Sequence, residues 1–218
     1  HGGIPKNDGY VIQECEQGLI RVRRGKHPVT ELDTLAFQAP PLSRKGPLPA
    51  EELESITAAL GLTPDDVVAH SWCINGPEWR GLLLKSAEKV LAVKPNQAKL
   101  GDKDVGIIGP RFSIDESGQE RTASIFEVRA FCPLDSPFED PATGSLNAGL
   151  AQWLLARGGR LVEEAISRGG FEVRQGSCVG RNGEILISSE TDSDSKDELV
   201  VWVGGVCQTC ISGQTLFP

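Results

Sequence analysis

Glu139-Asp140-Pro141-Ala142-Thr143-Gly144-Ser145 stands between two contrasting patterns. Ahead of it, residues 125–131 alternate apolar and polar in the manner of a strand, and a loop punctuated by Pro133, Pro137 and Pro141 follows. Behind it, Leu146, Leu150, Trp153 and Leu154 recur at helical spacing until Gly158-Gly159, so the pattern predicts a helix over residues 143–157 with Gly158 as its C-terminal cap. The order is therefore strand, polar loop, helix. Small residues at the helix mouth let a ligand approach the backbone, and the free amides there, with the helix dipole behind them, favour an anion such as a carboxylate. Asp140 and Ser145 then stand beside the place where that carboxylate sits. Asp140 followed by Pro141 reads equally well as an ordinary N-cap with proline at the first helical position, and both readings stay open at this level. The run lacks the lysine of a phosphate-binding P-loop and the spacing of a dinucleotide fingerprint. Glu139 and Asp140 are adjacent, so they diverge and cannot face each other as a glycosidase pair.

Upstream, residues 10–14 and 19–23 read as a hairpin around Glu16-Gln17-Gly18. Residues 26–49 change character, with five prolines from Pro28 to Pro49 around a short strand at 34–38, which makes this segment the candidate crossing between lobes. A helix is expected from about residue 49 to 60, with Glu51, Glu52 and Glu54 near its positive end and Gly61 after it, followed by a capped turn at Thr63-Pro64-Asp65-Asp66. Strands at 67–72 and 79–84 flank Cys73-Ile74-Asn75-Gly76-Pro77, a turn signal first and a ligand loop second. A serine-capped helix at 86–93, one more helical turn at 96–100 and a strand at 104–108 come next. From Phe171 on, strands are expected at 171–174, 184–188, 199–203 and 206–211, with the acidic residues 190–198 as a solvated loop. Double glycine, strand, a turn with Gln and Gly, and strand recur near both ends of the chain, a faint internal repeat.

At 218 residues with 39% hydrophobic content, the chain suits one large domain or two small ones with a real core. Its net charge of -8 argues against nucleic acid as a partner. No apolar run approaches the roughly 20 residues that span a bilayer and the N-terminus is not a signal peptide, so the expected place is the cytoplasm. Cys207 and Cys210 form a C-x-x-C, but as part of the expected last strand they point to opposite faces. No second pair or histidine stands near them, so neither a metal nor a cofactor is expected and the six cysteines read as buried free thiols. His27 and His70 have no obvious partners to orient them for general catalysis. The chain opens His1-Gly2-Gly3 and contains no methionine, so a fragment or processed product is expected.

Phe138 to Ser145, the helix behind it, Arg174-Gln175-Gly176 with Gly180-Arg181, and Val203-Gly204-Gly205 with Ser212-Gly213 resemble the C-terminal part of the phenazine-biosynthesis (PhzF-like) isomerases, which share the diaminopimelate epimerase fold. The resemblance covers essentially the whole chain. It implies an α+β fold in which strands wrap a central helix, with residues 1–38 the final strands of an incomplete N-terminal lobe, 39–203 the C-terminal lobe and 204–218 closing strands. It also implies a cofactor-independent isomerase or epimerase that moves a proton within a small carboxylated metabolite, in a cleft between two similar lobes. Asp140 matches the position where the epimerases carry a catalytic thiol, Thr143, Gly144 and Ser145 match the substrate-holding helix mouth, and Asn75 and Gly76 match a glycine-containing ligand loop. The family's glutamate and its Gly-His-Pro-Thr run have no counterpart in this chain. The alternative is therefore a non-catalytic, small-carboxylate-binding half-protein, and the expected macromolecular partner is a second copy or a complementing N-terminal lobe.

Overall fold

The structure, a computed structural model, describes residues 9–114, 120–159, 163, 167, 169–191 and 199–213. Most of the expected acidic loop, the first eight residues and the last five lie outside them. Among the described residues, twelve strands join into one mixed sheet of order β1-β2-β3-β12-β11-β10-β8-β7-β6-β5-β4, with the short β9 paired to β8 off this path. In chain order these are β1 Tyr10–Cys15, β2 Gly18–Lys26, β3 Asp33–Gln38, β4 Arg44–Gly46, β5 Val67–Ile74, β6 Arg80–Leu84, β7 Val105–Ile114, β8 Glu120–Phe131, β9 Glu139–Asp140, β10 Gly170–Gln175, β11 Gly183–Thr191 and β12 Leu199–Val206. The helices are α1 Ala50–Leu60, α2 Ala87–Ala92, α3 Gln97–Leu100 and α4 Gly144–Arg157. The β8–β10 and β6–β7 pairs are parallel, and the other pairs are antiparallel.

The middle strands are apolar on both faces because both faces are covered. On β6, Leu82 and Leu84 join Ile56, Leu60, Val90 and Leu100 of α1, α2 and α3, while Leu83 points to the opposite side and joins Leu146, Leu150 and Leu154 of α4. Ile107 and Ile108 of β7 divide in the same way. Strand periodicity of two thus turns one apolar run into two cores. The hairpin β1–β2 is sided differently: Val11, Ile12 and Leu19 are about half exposed or more.

Local chemistry ends the helices as expected. Gly61 takes the left-handed conformation after α1, Ser86 accepts from the Lys89 amide at the start of α2, and the Gly158 amide donates to the Leu154 carbonyl at the end of α4. One open reading is closed and three expectations change. Asp140 is not the N-cap of α4: Thr143 is, and Glu139 and Asp140 form β9 against Phe131 and Ala130. The strand expected at 206–211 does not form beyond Val206: β12 pairs with β3, and the register ends with Val206 opposite Thr34, one residue from the start of β3. Cys207 and Cys210 are accordingly exposed past the strand, Cys15 and Cys178 are exposed elsewhere, and only Cys73 and Cys132 are buried thiols. The proline-rich stretch also contains β4, a three-residue polar edge strand paired with β5.

Candidate active site at the mouth of helix α4

The stretch ahead of α4 is held at both of its acidic residues, by different partners. Glu139 takes a bidentate pair with Arg129, at 2.9 Å to Nε and 2.7 Å to Nη2, while Nη1 of the same guanidinium donates to the Val93 carbonyl at 2.6 Å and so closes the end of α2. This is a desolvated pair in which both Glu139 oxygens are engaged by Arg129, and it assigns Glu139 to structure. Asp140 is half-buried and keeps its carboxylate near the helix: Oδ2 accepts from the Thr143 hydroxyl at 2.7 Å.

Gln175, at the end of β10 and fully buried, organises the turn. Its Nε2 donates to the Asp140 carbonyl and to Thr143 Oγ1, both at 2.8 Å. Its Oε1 accepts from the Thr143 amide at 3.2 Å and from Asn147 Nδ2 at 2.8 Å. Asn147 also donates to the Thr143 carbonyl at 2.8 Å. Thr143's amide is thereby satisfied, whereas the next amides, of Gly144 and Ser145, are among the first in α4 and have no intrahelical acceptor. Gly144 is exposed, and the Phe37 ring stands 3.2 Å from where a Cβ would be, so a larger residue would crowd the mouth.

Asn75 and Gly76 come to the same helix end from the loop after β5. Asn75 Nδ2 donates to the Ser145 carbonyl at 2.9 Å, and Trp79 Nε1 donates to the Ser145 hydroxyl at 3.0 Å. Asn75 Oδ1 is buried with no hydrogen-bond partner among the described residues. Gly76 has φ of +142°, and the Gln17 side chain from the β1–β2 turn lies 3.4 Å from where a Cβ on Gly76 would stand, so the hairpin tip reaches this loop. All six singled-out residues thus surround one helix end. Of the six, Gly144 lines an open cleft of about 380 Å³, which lies between Ala142 and Gly144 on one side and Val22, Leu35, Phe37 and Val203 on the other.

Three neighbouring groups are excluded from the chemistry by their surroundings. Burial, together with the carboxylates of Asp104, Asp135 and Asp140, pushes the Cys132 thiol up to about 12, so it stays protonated. His27 does have partners, contrary to the sequence reading: Nε2 is 2.6 Å from Glu184 Oε1, and Nδ1 accepts from the amides of Val29 and Thr30 at 3.1 Å. Because Nδ1 is an acceptor, the ring proton sits on Nε2 and is given to Glu184. His70 accepts from the Leu48 amide at 3.0 Å, and burial lowers its pKa. The Val29 and Thr30 amides are local to His27, but the Glu184 partner of His27 and the Leu48 partner of His70 come from 157 and 22 positions away, and no local spacing announces them. Gln175 did leave a signal, since Phe171, Val173 and Gln175 share the inward face of one strand and a glutamine at the third such position has to be satisfied inside. Among the described residues, no cluster of three or more histidine, cysteine or carboxylate side chains could hold a metal ion.

The profile of the family described as phenazine biosynthesis-like protein (PhzC-PhzF) matches residues 3–213. A fission yeast (Schizosaccharomyces pombe) protein, antisense-enhancing sequence 1, is 30% identical over 219 residues, covering 97% of this chain and 68% of that protein. Among solved structures, a PhzF-family phenazine biosynthesis protein from Bacillus anthracis aligns with a TM-score of 0.60 at 14% identity, covering 92% of this chain and 66% of that one. One from Enterococcus faecalis gives 0.57 at 19%, covering 98% and 67%. A protein described as a predicted epimerase from Pseudomonas aeruginosa gives 0.57 at 18%, covering 97% and 69%. The chain thus spans about two thirds of the length of these proteins, and the structural matches establish a PhzF-like fold with a mixed sheet and few helices.

Proposed function

Since the chain belongs to the phenazine biosynthesis-like (PhzC-PhzF) family, we propose that it is an isomerase or epimerase lobe that moves a proton within a small carboxylated metabolite, with Asp140 as a proton-handling group. The observation that carries this reading is the Asp140 carboxylate accepting from the Thr143 hydroxyl at 2.7 Å beside the mouth of α4, whose Gly144 lines the cleft. Proton transfer next to a carboxylate needs an acid/base group in reach and donors that stabilise the negative charge developing on the substrate. Asp140 supplies the first and the amides of Gly144 and Ser145 the second. Asn75 and Gly76 close the site from the side. No bound cofactor enters this scheme.

The finer plan we propose is that of diaminopimelate epimerase: strands wrapping α4 as the central helix of a lobe formed by residues 39–203, with 1–38 and 204–218 belonging to a second, similar lobe. Exposed Val11, Ile12, Leu19 and Leu35 support a partner on the hairpin side, either a second copy of the chain or a polypeptide carrying an N-terminal lobe. One observation favours the second reading, a binding lobe without turnover of its own: the ring nitrogens of His27 are taken by Glu184 and the loop amides, so it cannot orient Asp140.

The test is deuterium incorporation. The chain, alone and supplemented with an N-terminal lobe of a family member, is incubated with a panel of small carboxylates in heavy water, and exchange at the carbon beside the carboxylate is read by mass spectrometry. Asp140→Asn is expected to keep the fold and to lose exchange by about 10²- to 10⁴-fold. Full exchange in folded Asp140→Asn would return Asp140 to a structural role. Saturable binding without exchange under either condition would select the binding reading.

A further inference from the structure

We propose that Gln175 is a positioning residue for Asp140: through the Thr143 hydroxyl it fixes a proton donor on the Asp140 carboxylate. The proposal rests on the reading of Asp140 as the proton-handling group. Its basis is that the hydrogen-bond directions around Gln175 are dictated by groups whose character cannot change. The Asp140 carbonyl can only accept and the Thr143 amide can only donate. Nε2 of Gln175 must therefore face the first, at 2.8 Å, and Oε1 the second, at 3.2 Å. Flipping the amide would set oxygen against a carbonyl and nitrogen against an N–H, so one orientation remains. Asn147 agrees, with Nδ2 shared between the Thr143 carbonyl and Gln175 Oε1.

With Gln175 oriented, its second Nε2 proton points at Thr143 Oγ1, also at 2.8 Å. The hydroxyl receives that bond on a lone pair and has one proton left to give. Asp140 Oδ2, 2.7 Å away, takes it. The relay runs Gln175 N–H to Thr143 O–H to Asp140 carboxylate. It occupies one oxygen of Asp140 from the protein side, holds the carboxyl plane against the helix mouth, and leaves Oδ1 with no partner among the described residues. With Oδ2 taken by Thr143, Oδ1 is the atom of Asp140 left to meet a substrate proton. No bond to carbon forms or breaks in this relay and no co-reactant is needed.

The experiment uses the isotopically labelled 218-residue chain in solution NMR. The unsubstituted chain is expected to show a slowly exchanging Thr143 hydroxyl proton coupled to the Asp140 carboxyl carbon. Gln175→Glu, nearly isosteric but with an acceptor in place of the donor, turns the hydroxyl toward residue 175, and the coupling is lost while the remaining amide spectrum is kept. Thr143→Val removes the relay without touching Gln175 and shifts the Asp140 carboxyl carbon resonance. Absence of the coupling in the unsubstituted chain, its survival in folded Gln175→Glu, or an unmoved Asp140 carbon in Thr143→Val each overturns the proposal. Should Gln175→Glu fail to fold, the unsubstituted chain and Thr143→Val decide alone. A chain that shows the coupling but exchanges no deuterium, either alone or supplemented with an N-terminal lobe, would end the isomerase reading and leave the relay standing, whereas exchange without the coupling removes the relay only.

Discussion

Asp140 and Glu139 are neighbours in sequence with opposite duties, and the division is made by what lies across the sheet. Glu139 is neutralised by Arg129, which is 5% exposed and also holds the last carbonyls of α2. Breaking a buried pair by removing one partner typically costs about 3–5 kcal/mol, because the survivor stays desolvated. Arg129→Met is therefore expected to lose about that much in urea unfolding, and Arg129→Met combined with Glu139→Gln to recover part of it. Equal losses in the single and double variants would show that the pair matters only through the α2 carbonyls. Asp66 gives the protein a pH dependence. Hydrogen bonds from Lys89 first, then from the Thr63 amide and hydroxyl, hold its carboxyl well below the usual range. A depressed folded value means that the stabilisation is present above the unfolded carboxylate value of about 3.9 and is lost as pH falls toward the folded one. Asp66→Ala should lower the melting temperature at neutral pH, with the gap to the unsubstituted protein narrowing below about pH 4. A gap that persists unchanged into strong acid would show that Asp66 acts by packing and not by charge.

At the scale of elements, α4 is positioned by close approach as much as by its apolar stripe. A Cβ on Gly149 would lie 2.7 Å from the Cys73 carbonyl oxygen, a backbone atom of β5 that cannot swing away. Alanine is favoured over glycine inside a helix by about 0.8–1.0 kcal/mol, but overpacking a filled site costs about 1–3 kcal/mol. Packing should win, so Gly149→Ala is expected to destabilise the chain by about 1 kcal/mol or more in chemical denaturation. A stabilised variant would mean that β5 yields and that α4 is not seated against it. The helix itself was legible from Leu146, Leu150 and Leu154, which are all buried, and so was its end at Gly158. Its start fell at Thr143 as the apolar spacing predicted, and of the two open readings of Asp140 the N-cap failed. Asp-Pro is a common cap signal, but here the backbone of Glu139 and Asp140 is used by β8, and a strand-paired residue cannot also be the cap. The expected strand at 206–211 failed for a related reason, since alternation marks a face to be buried and does not provide a neighbour to pair with.

At the scale of the whole molecule, stability is uneven along the sheet. Strands β6, β7 and β8 lie between two apolar clusters, while β1 is an edge strand whose side chains are mostly exposed. Amide hydrogen exchange is expected to be slowest in β6–β8 and fast in β1 and β2, because opening the hairpin exposes little apolar surface. Equal protection across both regions would show that the hairpin is covered in solution and would support the proposed partner. The sequence by itself determined the elements whose cause is local: the apolar spacing of α4, the glycine and serine caps, the hairpin turn, and a signature run specific enough to name the family. It also singled out Asp140, Thr143, Gly144, Ser145, Asn75 and Gly76. Only the tertiary structure decided what surrounds them. Gln175 meets Asp140 from 35 positions away, Asn75 meets Ser145 from 70, and His27 meets Glu184 from 157. A hydrogen bond depends on atoms within about 3 Å of each other. Helical and strand periods report which way a side chain faces, but which group it faces is settled only when the strands take their places in the sheet.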